Sequence, residues 1–237
     1  LGKKVKFSLR VNPDVDAKTH EKISTGRKGD KFGVDINQAK EVYAIAKELH
    51  SIEVHGIATH IGSQITTIEP FEKAFKKIRE LCIELRQEGH EIKSLDLGGG
   101  IGINYQGEEV IKISDYAKVI KDLTSDLNVQ IILAPGRSIA GSAGILATQI
   151  IYIKETSSKN FAIIDAAMND LARPGLYDSY HEILPAIQKA GDSAKYDLAG
   201  PVCETTDILA KDREITDAKA GDCVLFLSVG AYGSAMS

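Results

Sequence analysis

The chain has 237 residues, 43% of them hydrophobic, and a net charge of −4, enough for one large domain or two small ones with a sizeable core. The weakly acidic balance, with no Lys/Arg run, gives no electrostatic case for nucleic acid, and apolar runs such as 144–153 fall far short of the ~20 residues that span a membrane. Three cysteines, Cys82, Cys203 and Cys223, at irregular spacing argue against a disulfide framework or zinc site and point to a reducing cytoplasm.

No signal peptide opens the chain. It begins on a loop-like Leu1-Gly2 and stops just after an apolar strand, so both ends read as cut. Residues 5–11 alternate with period 2 and end at Asn12-Pro13, which predicts a strand. A helix over 37–50 follows, with Ala39, Val42, Tyr43, Ala46 and Leu49 on one face. Residues 54–60 form the second strand. Its helix starts at Pro70, carries Phe71, Ala74, Phe75, Ile78, Leu81, Cys82 and Leu85 as an apolar stripe, and closes at Gly89. A third strand over 92–97 leads to a helix capped by Ser114, with Ala117, Ile120, Leu123 and Leu127 inward. The fourth strand, 129–133, ends at Ala134-Pro135-Gly136-Arg137. After Arg137 short β-type runs dominate, at 145–153, 160–165, 182–187 and 223–229. Pro185 lies inside one of them, which predicts an edge strand or a bulge. Cys82, on the helix stripe, and Cys223 read as buried small hydrophobes.

The strand–helix alternation implies parallel strands covered by helices. Polar residues and glycines gather just after each strand, where (β/α)₈ barrels keep their active sites. Four units in about 137 residues read as half of such a barrel, since a whole one takes ~250 residues. A flavodoxin-like open sheet fits the same pattern. The expected division is 1–140 as half of a barrel and 141–237 as part of a β-domain.

The run Gly98-Gly99-Gly100 ends the third strand. Side chains vanish there, so a ligand can reach backbone N–H groups; phosphate is the usual guest. A tight turn needing positive φ accounts for the same residues. The spacing matches neither a P-loop nor a dinucleotide fingerprint.

Four motifs stand in fixed order: His60-Ile61-Gly62-Ser63, Gly98-Gly99-Gly100, Pro135-Gly136-Arg137 and Gly200-Pro201-Val202-Cys203-Glu204. Together they resemble the fold-type III pyridoxal-phosphate decarboxylases. The run from Met168 to Tyr177, followed by His181, is similar to the diaminopimelate-decarboxylating branch of that family. The resemblance covers essentially the whole chain. It implies an α/β fold: a PLP-binding (β/α)₈ TIM barrel of the alanine racemase-like type, about the last four units of it, followed by an all-β C-terminal domain. It also implies pyridoxal 5′-phosphate as cofactor and decarboxylation of meso-2,6-diaminopimelate to L-lysine and CO₂. Another basic amino acid or carboxylated polyamine (ornithine, arginine or carboxynorspermidine type) is the nearest alternative substrate. A non-catalytic relative that binds a decarboxylase subunit is the alternative from another class.

Carried over residue by residue, the resemblance assigns His60 to the face of the cofactor ring. Ser63, the amides of Gly98, Gly99 and Gly100, and the backbone of Ala134, Pro135, Gly136 and Arg137 would hold its phosphate. Arg137 would contact phosphate or the substrate carboxylate. Arg173 and Tyr177 would bind a distal carboxylate, for which arginine offers a planar fork. Glu204 would bind the distal ammonium, and Tyr232 both cofactor and substrate. Cys203 would return a proton to the carbon that lost CO₂, a task open to a thiol because thiols are mostly protonated at neutral pH. Cys203 and Glu204 would act in a partner subunit's site, which implies a homodimer with shared active sites. Two departures stand out. The lysine that anchors the cofactor lies on an earlier barrel strand in that family, and no lysine here takes its place; Lys6 is on a strand that matches a later one. Ala134 stands where the family usually has Glu, which would protonate the pyridine nitrogen, so lowered turnover is expected. Half a barrel is also expected to be inactive by itself.

Overall fold

The computed structural model describes residues 2–17, 25–26 and 29–237. Leu1, read from sequence as loop-like, lies outside them. The chain divides into two compact units: Leu1–Gly102 with Glu109–Pro135, and Ile103–Glu108 with Gly136–Ser237.

The first unit is a parallel sheet with helices. Its strands are β1 (Val5–Asn12), β2 (Val34–Asp35), β3 (Ile52–Ala58), β4 (Ser94–Asp96) and β5 (Gln130–Ile132); its helices are α1 (Ala39–Glu48), α2 (Glu69–Gln87) and α3 (Ile113–Thr124). The strand order is β2-β1-β3-β4-β5, all parallel. β2 pairs only two residues at the end of β1, Val11 with Val34 and Asn12 with Asp35. From β1 through β3 and β4 to β5 each step moves the same way across the sheet. Right-handed crossovers in one direction put α1, α2 and α3 on one face. A doubly wound sheet reverses direction at a switch point and covers both faces. This unit is therefore an arc of a (β/α) barrel, and the flavodoxin-like alternative falls.

Helix α2 follows the sequence reading closely. Pro70 sits in its first turn, where a missing N–H costs nothing, and Phe71, Ala74, Phe75, Ile78, Leu81, Cys82 and Leu85 are all buried. Gly89, at φ +84°, takes the left-handed conformation that ends it. Helix α3 differs from expectation. Lys112, not Ser114, occupies its cap position, and Ser114 lies inside the helix. Its inward face is Tyr116, Ile120 and Thr124, while Ala117 is exposed. Tyr116 meets Phe71 edge-on at 5.0 Å and Phe75 at 5.9 Å; the larger apolar ring takes the buried position. On α1, Ala39, Tyr43 and Ala46 face inward as read, but Leu49 lies past the helix end and is 47% exposed.

The second unit holds a six-stranded mixed sheet in the order β10-β9-β7-β6-β11-β8. The strands are β6 (Leu146–Glu155), β7 (Asn160–Ile164), β8 (Ile183–Pro185), β9 (Ser193–Ala199), β10 (Ile208–Thr216) and β11 (Cys223–Phe226). Two five-residue helices, α4 (Gly136–Ala140) and α5 (Arg173–Tyr177), accompany it. Ile150, Ile164, Leu198, Val224 and Phe226 form its core. β8 is an edge strand, as Pro185 predicts. β9 and β10 were not legible as strands because charge interrupts them. Asp197 on β9 is buried; it takes the Lys159 ammonium at 2.5 Å and the Asp212 amide at 2.9 Å. Cys223 is exposed on β11, against the expectation of a buried thiol: period 2 turns Val224 inward and its neighbour out. Cys82 is buried as expected, and burial raises its thiol pKa.

Candidate active site

The loops after the first unit's strands converge through backbone contacts. Ala134 donates its amide to the Gly98 carbonyl at 2.8 Å, and Ile65 donates to Gly100 at 2.9 Å. Gly98 (φ +69°) and Gly100 (φ +106°) occupy the left-handed region. A Cβ at Gly98 would run into the Thr59 carbonyl, at Gly99 into that of Ala134, and at Gly100 into that of Gly62. The turn reading of the triple glycine holds: Gly98 and Gly100 need positive φ, and three strand-end loops approach too closely for any side chain.

The expected set of three phosphate-binding amides is narrowed. The Gly98 amide donates to Asp96 Oδ1 at 2.9 Å, and the Gly99 amide to His60 Nδ1 at 3.2 Å. Both glycines are buried, and only Gly100 is part-exposed. Gly100 N–H therefore remains as the donor the run can offer. The other two build the site by locking β4's end and the His60 ring. Because His60 Nδ1 accepts the Gly99 hydrogen, the neutral ring carries its proton on Nε2. Burial lowers the His60 pKa, and the Arg10 cation, whose Nη2 reaches the His60 carbonyl at 3.3 Å, lowers it further; Asp96 opposes them. Ser63 is half-buried in the same loop. Ala134 is exposed, with a methyl group as its whole side chain.

The second unit gathers a cationic cluster. Arg137 on α4 and Arg173 on α5 are 4% and 5% exposed, unusual for arginines. Tyr105 ties them together. Its hydroxyl accepts from Arg137 Nη1 at 2.6 Å, and its ring lies 5.9 Å from the Arg137 guanidinium and 5.1 Å from that of Arg173. Arg173 Nη1 meets His181 Nε2 at 2.9 Å. Among the described residues no carboxylate pairs with Arg173; its partners are His181, Tyr105 and Tyr177. Tyr177 is half-buried one helical turn beyond Arg173, on the same side of α5. Tyr232 is 41% exposed, its ring 5.3 Å from the Arg137 guanidinium. Its flanking glycines allow the loop to dock: a Cβ at Gly230 would strike the Ala140 carbonyl, and one at Gly233 the Val229 carbonyl.

Cys203 and Glu204 are both exposed. No hydrogen bond or ring contact joins either to the arginine cluster among the described residues. Asp207, 2% exposed, holds their loop. Its carboxylate accepts from Met168 N at 2.6 Å and Val202 N at 2.8 Å, and its carbonyl from Gly200 N at 3.0 Å. Sequence reasoning missed Tyr105 and Asp207. Tyr105 follows the glycine loop in an aperiodic stretch, and the arginines its side chain meets lie 32 or more positions away. Asp207 does resemble a turn aspartate, a signal that could have found it.

The chain matches the family model "Pyridoxal-dependent decarboxylase, pyridoxal binding domain" over residues 1–141. It is 49% identical over 238 residues to diaminopimelate decarboxylase of Aquifex aeolicus, covering 100% of this chain and 57% of that protein. Against diaminopimelate decarboxylase of Vibrio cholerae it is 48% identical, with 100% and 57% covered. The crystal structure of diaminopimelate decarboxylase from Helicobacter pylori complexed with L-lysine superposes with a TM-score of 0.95 at 41% identity, over 100% of this chain and 59% of that one. The chain thus spans a little over half the length of these relatives.

Proposed function

The chain belongs to the pyridoxal-dependent decarboxylase family, and on that premise we propose that the intact protein decarboxylates meso-2,6-diaminopimelate to L-lysine and CO₂ with pyridoxal 5′-phosphate. The observation that carries the substrate is Arg173, a buried guanidinium held by a neutral imidazole and by tyrosines, with no carboxylate of its own among the described residues. Such a fork suits a carboxylate that arrives with the ligand. A simple diamine precursor such as ornithine has no distal carboxylate to offer it.

The residues fit the cofactor in two respects. The glycine cradle leaves no room for a Cβ, and His60 is held by Gly99 N–H as a flat, neutral ring. When bound, pyridoxal phosphate accepts the electron pair released as the carboxylate leaves. Gly100 N–H and Ser63 would hold the phosphate, and His60 would take the face of the ring. Arg137 would contact phosphate or a substrate carboxylate, and Tyr232 both cofactor and substrate. Arg173 and Tyr177 orient the distal carboxylate. Glu204 takes the distal ammonium, and Cys203 delivers the proton to the carbon that lost CO₂. The exposure of Cys203 and Glu204 on a loop fixed by Asp207 supports their acting in a partner subunit's site, and so a homodimer. No helix among the described residues is long and apolar enough to cross a membrane. Three free cysteines support a reducing, cytoplasmic setting.

Ala134 favours a second reading, binding without turnover, because a methyl group gives the pyridine nitrogen no carboxylate. Steady-state kinetics of the intact protein on meso-diaminopimelate and L-ornithine decide both questions. Turnover of diaminopimelate with a strong preference over ornithine is expected. Arg173→Leu is expected to lower kcat/KM for diaminopimelate about 10²- to 10³-fold, the worth of a bidentate charge-assisted pair of about 3–4 kcal/mol, and to leave ornithine nearly unaffected. Equal losses on the two substrates would remove the assignment of Arg173, and absence of any turnover would favour the second reading.

A further inference from the structure

We propose that His181 is a positioning residue: its unprotonated Nε2 orients the Arg173 fork, and the preference for substrates with a distal carboxylate depends on that acceptor. The inference rests on the reading of Arg173 as the carboxylate-binding group and extends it to a residue that touches neither substrate nor cofactor.

Both ring nitrogens face partners with a single possible role. Nδ1 lies 2.8 Å from the Leu227 carbonyl, which can only accept. Nε2 lies 2.9 Å from Arg173 Nη1, which can only donate. The proton must therefore be on Nδ1, with the lone pair of Nε2 toward the guanidinium. The ring is fully buried, and Tyr105 packs against it edge-on at 5.5 Å. The charged groups that act on it are Arg173, Arg137 and Arg213, all cations, and all favour the neutral ring. Burial is the main influence; with these cations beside it, it outweighs the Leu227 carbonyl and pushes the imidazole down to about 4. It is thus a neutral acceptor throughout the physiological range.

Neutrality is what the position requires. An aspartate or glutamate here would also hold Arg173, but as a buried ion pair that competes with the ligand's carboxylate. Imidazole takes one N–H of the guanidinium, fixes the plane of the fork and leaves its charge uncompensated for the ligand. A merely space-filling histidine would meet the same packing demand in either tautomer. The contacts select one.

Two near-isosteres separate the functions. In His181→Gln the amide oxygen reaches the place of Nε2 and keeps an acceptor for Arg173. In His181→Asn the amide nitrogen reaches the place of Nδ1 and keeps the donor to Leu227, but nothing at position 181 accepts from Arg173, which keeps only its tyrosine contacts. The readout is the ratio of kcat/KM for meso-diaminopimelate to that for L-ornithine within each variant, which cancels any loss of folded enzyme. The ratio is expected to stay within about threefold in His181→Gln, to fall tenfold or more through KM in His181→Asn, and to fall further in His181→Glu. Imidazole ¹⁵N spectra of the unmodified chain, with His181 assigned by difference from His181→Gln, are expected to show the Nδ1–H tautomer without any substrate present. An Nε2–H tautomer, or an unchanged ratio in His181→Asn, would overturn the proposal. If Arg173→Leu also leaves the ratio unchanged, the reading of Arg173 itself fails; if it collapses the ratio while His181→Asn does not, only the role of His181 fails.

Discussion

Lone ionised groups are costly to bury, and a buried arginine is ordinarily found with a carboxylate. Arg173 has instead a histidine whose ring is held neutral by burial and, secondarily, by the cations around it. That arrangement has a consequence for stability. The unfolded chain protonates His181 near the reference value of 6.5, the folded chain only near about 4. Between these values the unfolded state binds more protons, so stability rises with pH there. The contribution is fully present above about pH 6.5 and is lost as pH falls toward about 4, worth in order of magnitude about 3 kcal/mol across the window. His60 and His90, also lowered by burial, act with the same sign. Urea unfolding of the chain at pH 7 and pH 5 is expected to show His181→Gln losing about 2 kcal/mol less than the unmodified chain between the two values. Equal losses would mean that His181 is not neutral and buried as described. The sequence exposed His181 only as part of a family signature. Its role depends on Leu227, 46 positions away, and on three arginines; the sequence singled out Arg137 and Arg173, but no local pattern announces that they meet His181.

At the scale of elements, legibility followed the length and cleanness of the apolar pattern. Helix α2 has 19 residues and an unbroken stripe, so its inward face was readable residue by residue. The three-residue strands β4 and β5 were found as runs but drawn too long, because apolar residues continue past the last ladder pair. β9 and β10 were missed because the buried Asp197 and the left-handed Asp212 (φ +53°) break the alternation. The register between Ala210 and Arg213 shifts at the same place. Of the residues expected inward on and just after α3, Ile120 and Leu127 are buried and Leu123 packs against the core, but Tyr116 rather than Ala117 fills the first inward position. That choice carries a penalty. The Tyr116 hydroxyl is buried with no hydrogen-bond partner among the described residues, and an unsatisfied buried hydroxyl costs about 1–3 kcal/mol. Tyr116→Phe is therefore expected to leave stability unchanged or to raise it by about 1 kcal/mol, while Phe71→Ala, which removes the ring stacked edge-on against it, lowers it by about 3–5 kcal/mol. Denaturant midpoints of the two variants check the pair. A Tyr116→Phe chain as unstable as Phe71→Ala would mean the hydroxyl has a partner after all.

For the whole molecule, the order of the parallel sheet could be anticipated because the βα repeat dictates it, and a division near residue 140 was expected, but the excursion of one short segment was not. The segment Ile103–Glu108 follows the glycine loop in sequence, yet it belongs with Gly136–Ser237. The chain therefore passes from one unit to the other three times, at 102/103, 108/109 and 135/136. Each unit has its own apolar core, one around α2 and β3, the other around β6, β7 and β11. Each also carries its own chemistry: the glycine cradle and His60 lie in the first unit, the arginine cluster in the second. A ligand that binds a folded unit stabilises that unit by RT ln(1 + [L]/Kd), about 2.7 kcal/mol at a hundredfold excess over Kd. Pyridoxal 5′-phosphate titrated into the chain is therefore expected to protect the amides of β3, β4 and Gly98–Gly100 from hydrogen exchange by about a hundredfold at that excess. Those of β7, β9 and β10 should change far less. Gly99→Ala, whose Cβ would meet the Ala134 carbonyl, is expected to abolish the protection in the first unit and leave exchange in the second as it was. Equal protection of both sheets would show that the units unfold together, and protection surviving in Gly99→Ala would show that the cofactor's phosphate does not sit in the glycine cradle.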